Sequence, residues 1–338
     1  MPLRKRLTIA ALILAALALA AWTTAWWIVA GAVERGILAW ADAQRAQGGI
    51  VEYRDLAVGG FPLKVRATAG DVRVAARGLD WRGKGVVAEA PLWQPSRIEV
   101  TLPGDQRLEV TPKGGPALDI ATGNGGVGSV LVDKGKPLEG TFTFSGVTLA
   151  PDTPGRPTFK AAGLDVALTQ PAEPPADHQQ TGLGLTLTAH ELALPGAPPA
   201  LGSVVRRATT ALRVQGRPPQ IDPDSLAAWS RDGGTVEVDS AMLDWGPLKL
   251  ALNGTLALDN ELQPLAAMTA EVRGAQQVLA AMQDQLKPNE VNVARSVVAL
   301  LARPDENGEP VIKAPVTVQQ RGLFVGPLKV AAVPVIRW

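Results

Sequence analysis

The stretch Leu63-Lys64-Val65-Arg66-Ala67 decides the fold of this chain, because apolar and charged side chains alternate along it. Successive side chains of a β-strand point to opposite faces, so Leu63, Val65 and Ala67 share one face and both cations share the other. The same period recurs downstream in short runs, which are residues 72–74, 98–102, 108–110, 164–168 and 183–188. The pattern predicts a sheet with one apolar face and one solvated face.

Short turn sequences separate these runs at fairly even intervals, as at Gly59-Gly60 and Pro103-Gly104-Asp105. Connections this short join antiparallel neighbours, since a parallel crossover needs a dozen or more residues. We therefore expect a mainly β fold, built on an extended, curved antiparallel sheet of about 16–20 strands. A sheet this long curls or splits, so two halves at 48–170 and 201–338, joined by a Pro-rich connecting region at 171–200, are the expected division.

Few helices are expected to cover this sheet. Residues 223–231 follow the candidate cap Asp222 and end before Gly233-Gly234, which is typical of a short helix. Residues 275–286 carry an apolar stripe at helical spacing, and residues 288–302 form a third candidate helix.

The N-terminus contains the longest apolar segment. Residues 7–30 lack charged side chains, follow a basic tail at 1–6 and lead into a helical extension at 31–47. A helix over residues 7–30 is ~36 Å long and can cross a ~30 Å hydrocarbon core. Because basic residues favour the cytoplasmic side, we expect a single-pass inner-membrane protein with a cytoplasmic N-terminus and with the bulk of the chain in the periplasm.

A cleaved signal peptide is the alternative for the same segment. Ala18-Leu19-Ala20 fits a small-residue cleavage motif. A signal peptide usually has an apolar stretch of ~7–15 residues, however, and here the apolar run continues beyond Ala20. We therefore favour an uncleaved membrane anchor and keep cleavage as the alternative.

The composition limits the chemistry that this chain can perform. It has no cysteine and only two histidines, so thiolate chemistry is excluded and histidine-based metal or catalytic sites have little material. The 33 basic and 32 acidic residues nearly balance, with no basic block beyond the N-terminus that would predict a nucleic-acid partner. We expect a non-enzymatic protein with no cofactor, no metal and no nucleic-acid partner.

Two motif-like stretches support the same expectation. Residues 123–128 match the glycine spacing of a dinucleotide-binding loop, but a short strand at 129–133 follows instead of a helix. His190-Glu191 begins like a zinc-protease helix, but the second histidine four residues later is missing. We interpret the first as a hairpin turn and the second as the end of a strand.

One short pattern occurs three times, at residues 62–65, 247–250 and 327–330. Each copy reads proline, leucine, lysine and an aliphatic residue, with a glycine just upstream. Since proline cannot donate to a β-ladder, it suits the first residue of a strand. Similar strand starts explain the pattern, and a duplicated β-unit is the alternative.

Several glycine, proline and aromatic motifs, taken in order after the apolar segment, resemble a known family. The chain resembles, over nearly its whole length, the bacterial envelope family catalogued as domain of unknown function 2125. A looser resemblance is to AsmA-like envelope proteins, which implies a curved sheet with an apolar inner face that shields lipid tails. The residues that carry the family resemblance are Gly60, Phe61, Pro62, Trp93, Pro95, Trp229, Gly233, Gly234, Trp245, Gly246, Pro247, Gly326 and Pro327.

Two functions fit these expectations. The first is a protein that binds or conducts lipid or another hydrophobic molecule in envelope maintenance, because a long aliphatic sheet face with few covering helices leaves apolar surface open. Its partners would be the inner membrane, through the N-terminal helix, and phospholipid. The second is a ligand-free scaffold or assembly protein that contacts another envelope protein through its sheet.

Overall fold

The structure is a computed structural model that combines one long helix with one large sheet. It describes residues 3–111, 117–151, 153, 155–199, 201–220, 222–282, 295–296, 298–299, 301–306, 308–336 and 338. Within these residues the described helices are α1 (Leu3–Ala46), α2 (Pro223–Arg231) and α3 (Ala275–Met282).

The described strands form a single 18-stranded sheet. In the first part of the chain they are β1 (Ile50–Gly59), β2 (Lys64–Ala76), β3 (Leu79–Pro91), β4 (Arg97–Leu102), β5 (Gln106–Val110), β6 (Leu118–Thr122), β7 (Gly126–Asp133), β8 (Lys136–Pro151) and β9 (Phe159–Thr169). In the second part they are β10 (Thr181–Ala193), β11 (Val204–Gln215), β12 (Val236–Trp245), β13 (Leu248–Leu258), β14 (Pro264–Arg273), β15 (Ala302–Pro304), β16 (Pro310–Gln319), β17 (Gly322–Val325) and β18 (Leu328–Ala332).

The sheet is an antiparallel meander, and the mainly β prediction is confirmed. Strands β1 to β3 pair in order, and β8 to β14 do the same. Between them, β4 with β5 and β6 with β7 act as two interrupted strands, since β4 pairs with β7 and β5 pairs with β6. Beyond β14 the order continues through β16, which also pairs with β15, to β17 and β18.

Hydrogen bonding continues across the region predicted to connect two halves. Residues 171–200 contain the whole of β10, which pairs with β9 on one side and β11 on the other. The loops on either side of β10 carry the prolines of this region. The sheet therefore has no gap in its ladder at the predicted division.

The helix predictions have different outcomes. α2 has the predicted bounds, because Asp222 caps it by accepting a hydrogen bond from the Ser225 backbone N–H at 3.0 Å. α3 begins at the predicted Ala275, and residues 283–286 of that prediction lie outside the described residues. Most of the predicted helix at 288–302 also lies outside them. Its described residues 295–296, 298–299 and 301 are helical, as predicted. The prediction is wrong for its last residue, because Ala302 pairs with Ile312 and begins β15.

α1 joins the predicted membrane helix and its extension into one helix of 44 residues. Its part Ile9–Ala46 is long and apolar enough to cross a membrane, a property that a signal sequence at an N-terminus shares. The helix is compatible with a single membrane anchor. Its C-terminal turn ends at Gln47-Gly48, directly before β1.

Little of this molecule is packed as tightly as a globular core. The accessible surface is 20679 Å², whereas a compact monomer of 35.3 kDa exposes about 13,000 Å². Val205 is the largest fully buried side chain among the described residues. The one buried cluster described joins α1 to β2 through Trp26, Ala30 and Val65. Much of the apolar part of α1 contributes to this exposed surface, including Leu12, Leu14 and Leu17, which are 63–72% exposed.

Candidate functional site

One face of the sheet is apolar from β9 to β16. Residues that lie directly opposite each other in an antiparallel ladder point to the same face, so the register identifies its members. Leu185 of β10 lies between Leu168 of β9 and Leu212 of β11. Leu212 in turn lies opposite Val238 of β12. This row of four aliphatic side chains crosses four strands.

A second row continues across the following strands. Leu243 of β12 lies opposite Leu250 of β13, which lies opposite Val272 of β14, and Val272 lies opposite Ile312 of β16. We call this surface the aliphatic face. Its members are Leu164, Val166, Leu168, Leu183, Leu185, Leu187, Leu212, Val214, Val236, Val238, Leu243, Leu250, Leu252, Leu256, Ala266, Met268, Ala270, Val272, Ile312, Ala314, Val316 and Val318.

The aliphatic face is only half covered. Val238 and three alanines are its buried members, and Leu168 is exposed. The remaining members, including every other leucine, are half-buried. Side chains in a close-packed core are instead almost fully removed from water. The face therefore presents a largely apolar surface, with Thr210 of β11 as a polar residue opposite Leu187, that other parts of this chain cover incompletely.

The opposite face carries charged and polar side chains that pair with one another. Arg213 donates to Asp239 across β11 and β12, and these hydrogen bonds lower the pKa of the Asp239 carboxyl. Arg273 of β14 and Lys313 of β16 both contact Glu271 and lower its pKa. We call this surface the charged face. Each of these charged groups has a side-chain partner within the described residues, whereas most side chains of the aliphatic face are only half-buried.

The two histidines lie apart from each other. His190 Nε2 lies 2.8 Å from Asp165 Oδ2 on the charged face, and this contact lowers the pKa of the Asp165 carboxyl. His178 lies in the loop between β9 and β10. Within the described ranges no three histidine, aspartate or glutamate side chains lie close enough to hold a metal ion.

The motif-like stretch at 123–128 lies where β6 leads into β7. Gly126 is already the first residue of β7, and this strand continues to Asp133. The strand expected after the glycines is confirmed, but the hairpin-turn interpretation is wrong. β6 and β7 pair with successive parts of β8, so residues 123–125 interrupt one strand position instead of reversing the chain.

A second feature of the site is the junction between α1 and the first hairpin. Trp22 donates its indole N–H to the Pro62 carbonyl, and Trp26 donates to the Lys64 carbonyl, both at 2.8 Å. Trp26 also packs edge-to-face on Phe61, with ring centroids 5.6 Å apart. These contacts hold the connection between β1 and β2 against the helix.

Five of the residues that carry the family resemblance lie in the two connections at this junction. Gly60, Phe61 and Pro62 form the connection between β1 and β2, and Trp93 and Pro95 lie in the neighbouring connection between β3 and β4. Gly60 has φ +99°, and a Cβ there would lie 2.7 Å from the Lys64 carbonyl oxygen. A residue with a side chain is therefore strained at this position.

The other family-like residues lie at separate turns. Trp229 of α2 donates to the Gln215 carbonyl at 2.8 Å and lies so close to Gly234 that a Cβ there would be 2.2 Å from its ring. Trp245 donates to the Gly202 carbonyl at 2.8 Å. The structure therefore places the residues that carry the family resemblance at separate turns and not in one site. The remaining members at these turns are Gly233, Gly246, Pro247, Gly326 and Pro327.

The repeated proline pattern marks the starts of strands, as the first interpretation states. β2 begins two residues after Pro62, and β13 and β18 begin directly after Pro247 and Pro327. The indole hydrogen bonds to turn carbonyls were not predicted. For Trp245 the signal in the sequence is the neighbouring Gly246-Pro247 turn, whereas Trp22 and Trp26 lie inside α1 and give no such signal.

Comparisons with known proteins give one result, which is a match to a family model. Neither the curated proteins nor the solved structures give a match. The looser resemblance to AsmA-like proteins is therefore not supported by a comparison and stays a prediction. A family model described as "Uncharacterized protein conserved in bacteria (DUF2125)" matches residues 26–334, which include Trp26 of the junction and the whole sheet. The chain therefore belongs to the DUF2125 family of bacterial proteins.

Proposed function

We propose that this protein is a non-enzymatic, membrane-anchored protein that binds lipid or another hydrophobic molecule along the aliphatic face. α1 anchors it in the inner membrane with the N-terminus in the cytoplasm, and the sheet lies in the periplasm. The single observation that carries the proposal is the aliphatic face itself, which continues over several strands and is only half-buried.

The free energy of burying apolar side chains favours a hydrophobic partner for the aliphatic face. Fully burying a leucine or valine side chain stabilises by about 1.5–3 kcal/mol, and half-buried side chains have realised only part of that free energy. Soluble monomers rarely expose contiguous apolar patches larger than a few hundred Å² unless the patch binds something. An acyl chain matches such a surface because it is apolar along its whole length and needs no hydrogen-bond partner.

The proposal includes an uncleaved α1, which the length of the helix supports. The mass of the mature protein tests this part directly. A mass that includes residues 1–20 supports the anchor, and a mass that begins after Ala20 supports the signal-peptide alternative.

Photocrosslinking from neighbouring positions tests the lipid proposal. Leu252 and Ala251 are adjacent in β13 and point to opposite faces, because Leu252 lies opposite Ala270 and Ala251 lies opposite Glu271. A photoreactive amino acid at each position is activated in cells whose phospholipids carry radioactive phosphate. We expect labelled lipid on the protein from position 252 and not from position 251. Equal labelling from both positions, or none from 252, contradicts the proposal.

The exposed edge strand favours a scaffold as the second candidate function. β18 pairs with β17 on one side and has no second strand partner among the described residues. Its side chains are all exposed, including Leu328 at 50% and Val330 at 54%. An exposed apolar edge is a template for strand addition by another protein. Protein crosslinks from Val330, with no lipid at Leu252, would favour this function.

A further inference from the structure

The β1–β2 and β3–β4 connections lie at the same end of their strands and present a cluster of exposed apolar side chains beside α1. Phe61 and Leu63, in the β1–β2 connection, are 48% and 58% exposed, and Trp93, in the β3–β4 connection, is 68% exposed. They line one cleft of about 470 Å³ together with Pro62 and Pro91, and the charged residues at the margin of this cleft are Lys64, Glu89 and Glu99. We call Phe61, Leu63 and Trp93 the apolar platform.

The position of the apolar platform along the membrane normal follows from its distance along α1 from the start of the apolar segment. Residues 7 and 26 are nineteen positions apart, which is ~29 Å along a helix and close to the ~30 Å thickness of a hydrocarbon core. If the apolar run begins at the cytoplasmic boundary, Trp26 lies at the outer boundary. Phe61 packs on Trp26, so the platform lies at the same level.

The helix presents aromatic rings at that level as well. Trp22 is 39% exposed and Trp27 is 67% exposed, and they lie on either side of the buried Trp26 in sequence. Tryptophan is enriched at membrane–water interfaces because its ring is amphipathic. Helix and sheet thus contribute exposed aromatic side chains to one zone.

Three of the four carbonyls of residues 60–63 in the β1–β2 connection accept hydrogen bonds from within the protein. Its Pro62 and Lys64 carbonyls accept hydrogen bonds from Trp22 and Trp26, and its Leu63 carbonyl accepts from the Leu92 N–H at 3.1 Å. The Gly60 carbonyl accepts from the Lys64 N–H, and Pro62 has no N–H to satisfy. Backbone polar groups near hydrocarbon need internal partners of this kind, whereas those of a loop in water do not.

Charged side chains begin immediately behind the platform. Lys64 and Arg66 both form ion pairs with Glu89. Lysine and arginine at this depth can keep their charged groups in the headgroup region while the apolar side chains reach further in. The surface therefore changes from apolar to charged over a few residues, as expected at an interface.

We propose that the apolar platform inserts into the outer interface of the same bilayer that α1 crosses, so that the sheet stands on the membrane with one end embedded. The occupant of this surface is the bilayer itself. The inference rests on the proposed anchoring by α1 but is separate from lipid binding on the aliphatic face.

Single-cysteine labelling of the full-length chain tests the platform, because the natural sequence has no cysteine. Variants Phe61→Cys, Leu63→Cys and Trp93→Cys receive an environment-sensitive fluorophore and are reconstituted in vesicles of phosphatidylethanolamine and phosphatidylglycerol. Leu79→Cys is the matched control, since Leu79 is 47% exposed and begins β3 at the opposite end of the same strands. Leu14→Cys reports on the anchor.

We expect emission at the three platform positions to shift to the blue and to be quenched by lipids that carry a spin label near the headgroup. Leu79→Cys should show neither effect, and Leu14→Cys should be quenched by lipids labelled near the chain end. If Leu14→Cys is quenched but the platform positions behave like Leu79→Cys, the insertion of the platform is contradicted and the anchor is not. An unquenched Leu14 overturns the anchor and the platform with it. If the Phe61 variant does not fold, the other two positions decide.

Discussion

The junction of α1 with the first hairpin and the aliphatic face use the same kinds of side chain in opposite ways. At the junction Trp26, Ala30 and Val65 are 4%, 5% and 6% exposed and pack on one another. On the aliphatic face the leucines remain half-buried over several strands. The difference teaches that apolar side chains form a closed contact where α1 meets β2, whereas the larger side chains on the face from β9 to β16 remain mostly half-buried.

Removing the central side chain of the junction should have the largest effect on stability. Trp26→Ala deletes a buried ring and one indole hydrogen bond, and we expect it to lower the free energy of unfolding by about 3–5 kcal/mol. Its neighbour Trp27 is 67% exposed, so Trp27→Ala should cost less than about 1 kcal/mol. Urea unfolding of the full chain in detergent, followed by circular dichroism, measures both. Equal costs would show that the junction is not packed as described.

A charge on the aliphatic face should affect binding more than folding. Leu252→Glu places a carboxylate where the side chain is half-buried, so we expect a cost in stability of about 1–2 kcal/mol and a folded protein. Bound lipid should fall at least tenfold, because an apolar chain would have to desolvate the charge.

Ala251→Glu is the control for this variant, since it adds the same charge one residue away on the charged face. Lipid measured by extraction should be unchanged in it. A Leu252→Glu protein that fails to fold would instead indicate a closed core behind this face.

The smallest effect is expected at an ion-pair cluster on β2 and β3. Hydrogen bonds from Arg73 and Arg82 lower the pKa of Asp80 from 3.8 to about 2. The folded state therefore keeps this carboxylate charged at a pH where the unfolded chain protonates it. Its contribution is present above about pH 4 and is lost as the pH falls towards 2.

Asp80→Asn should remove this part of the acid dependence of stability. Because such pairs lie near the surface, we expect a loss of less than about 1 kcal/mol at neutral pH. Unfolding curves of both proteins between pH 2 and 6 measure the difference. Parallel curves over this range would show that Asp80 is not stabilised in the folded state.

The sheet and α2 could be predicted because their determinants are local. Alternation of period two specifies a strand, and Asp222 with Gly233-Gly234 specifies both ends of α2. Ala302 was assigned wrongly because its pairing with Ile312 depends on a neighbouring strand and leaves no mark in its own segment.

The candidate site could be predicted only in part. Alternation predicts an aliphatic face, but whether that face is covered depends on how the whole sheet curves. The junction was missed because its hydrogen bonds join residues 38 and 40 positions apart. Gly60-Phe61-Pro62 belongs to the residues that carry the family resemblance, but no sequence period links this turn to the tryptophans of α1.

Native mass spectrometry of the full-length protein, released from detergent, tests most directly whether the aliphatic face is open to a hydrophobic ligand. The open face predicts additional masses that correspond to phospholipid at near one-to-one ratio or above, and these should be absent from Leu252→Glu and present in Ala251→Glu. A folded wild-type protein that carries no lipid, or lipid retained equally by both variants, would contradict this function for the sheet.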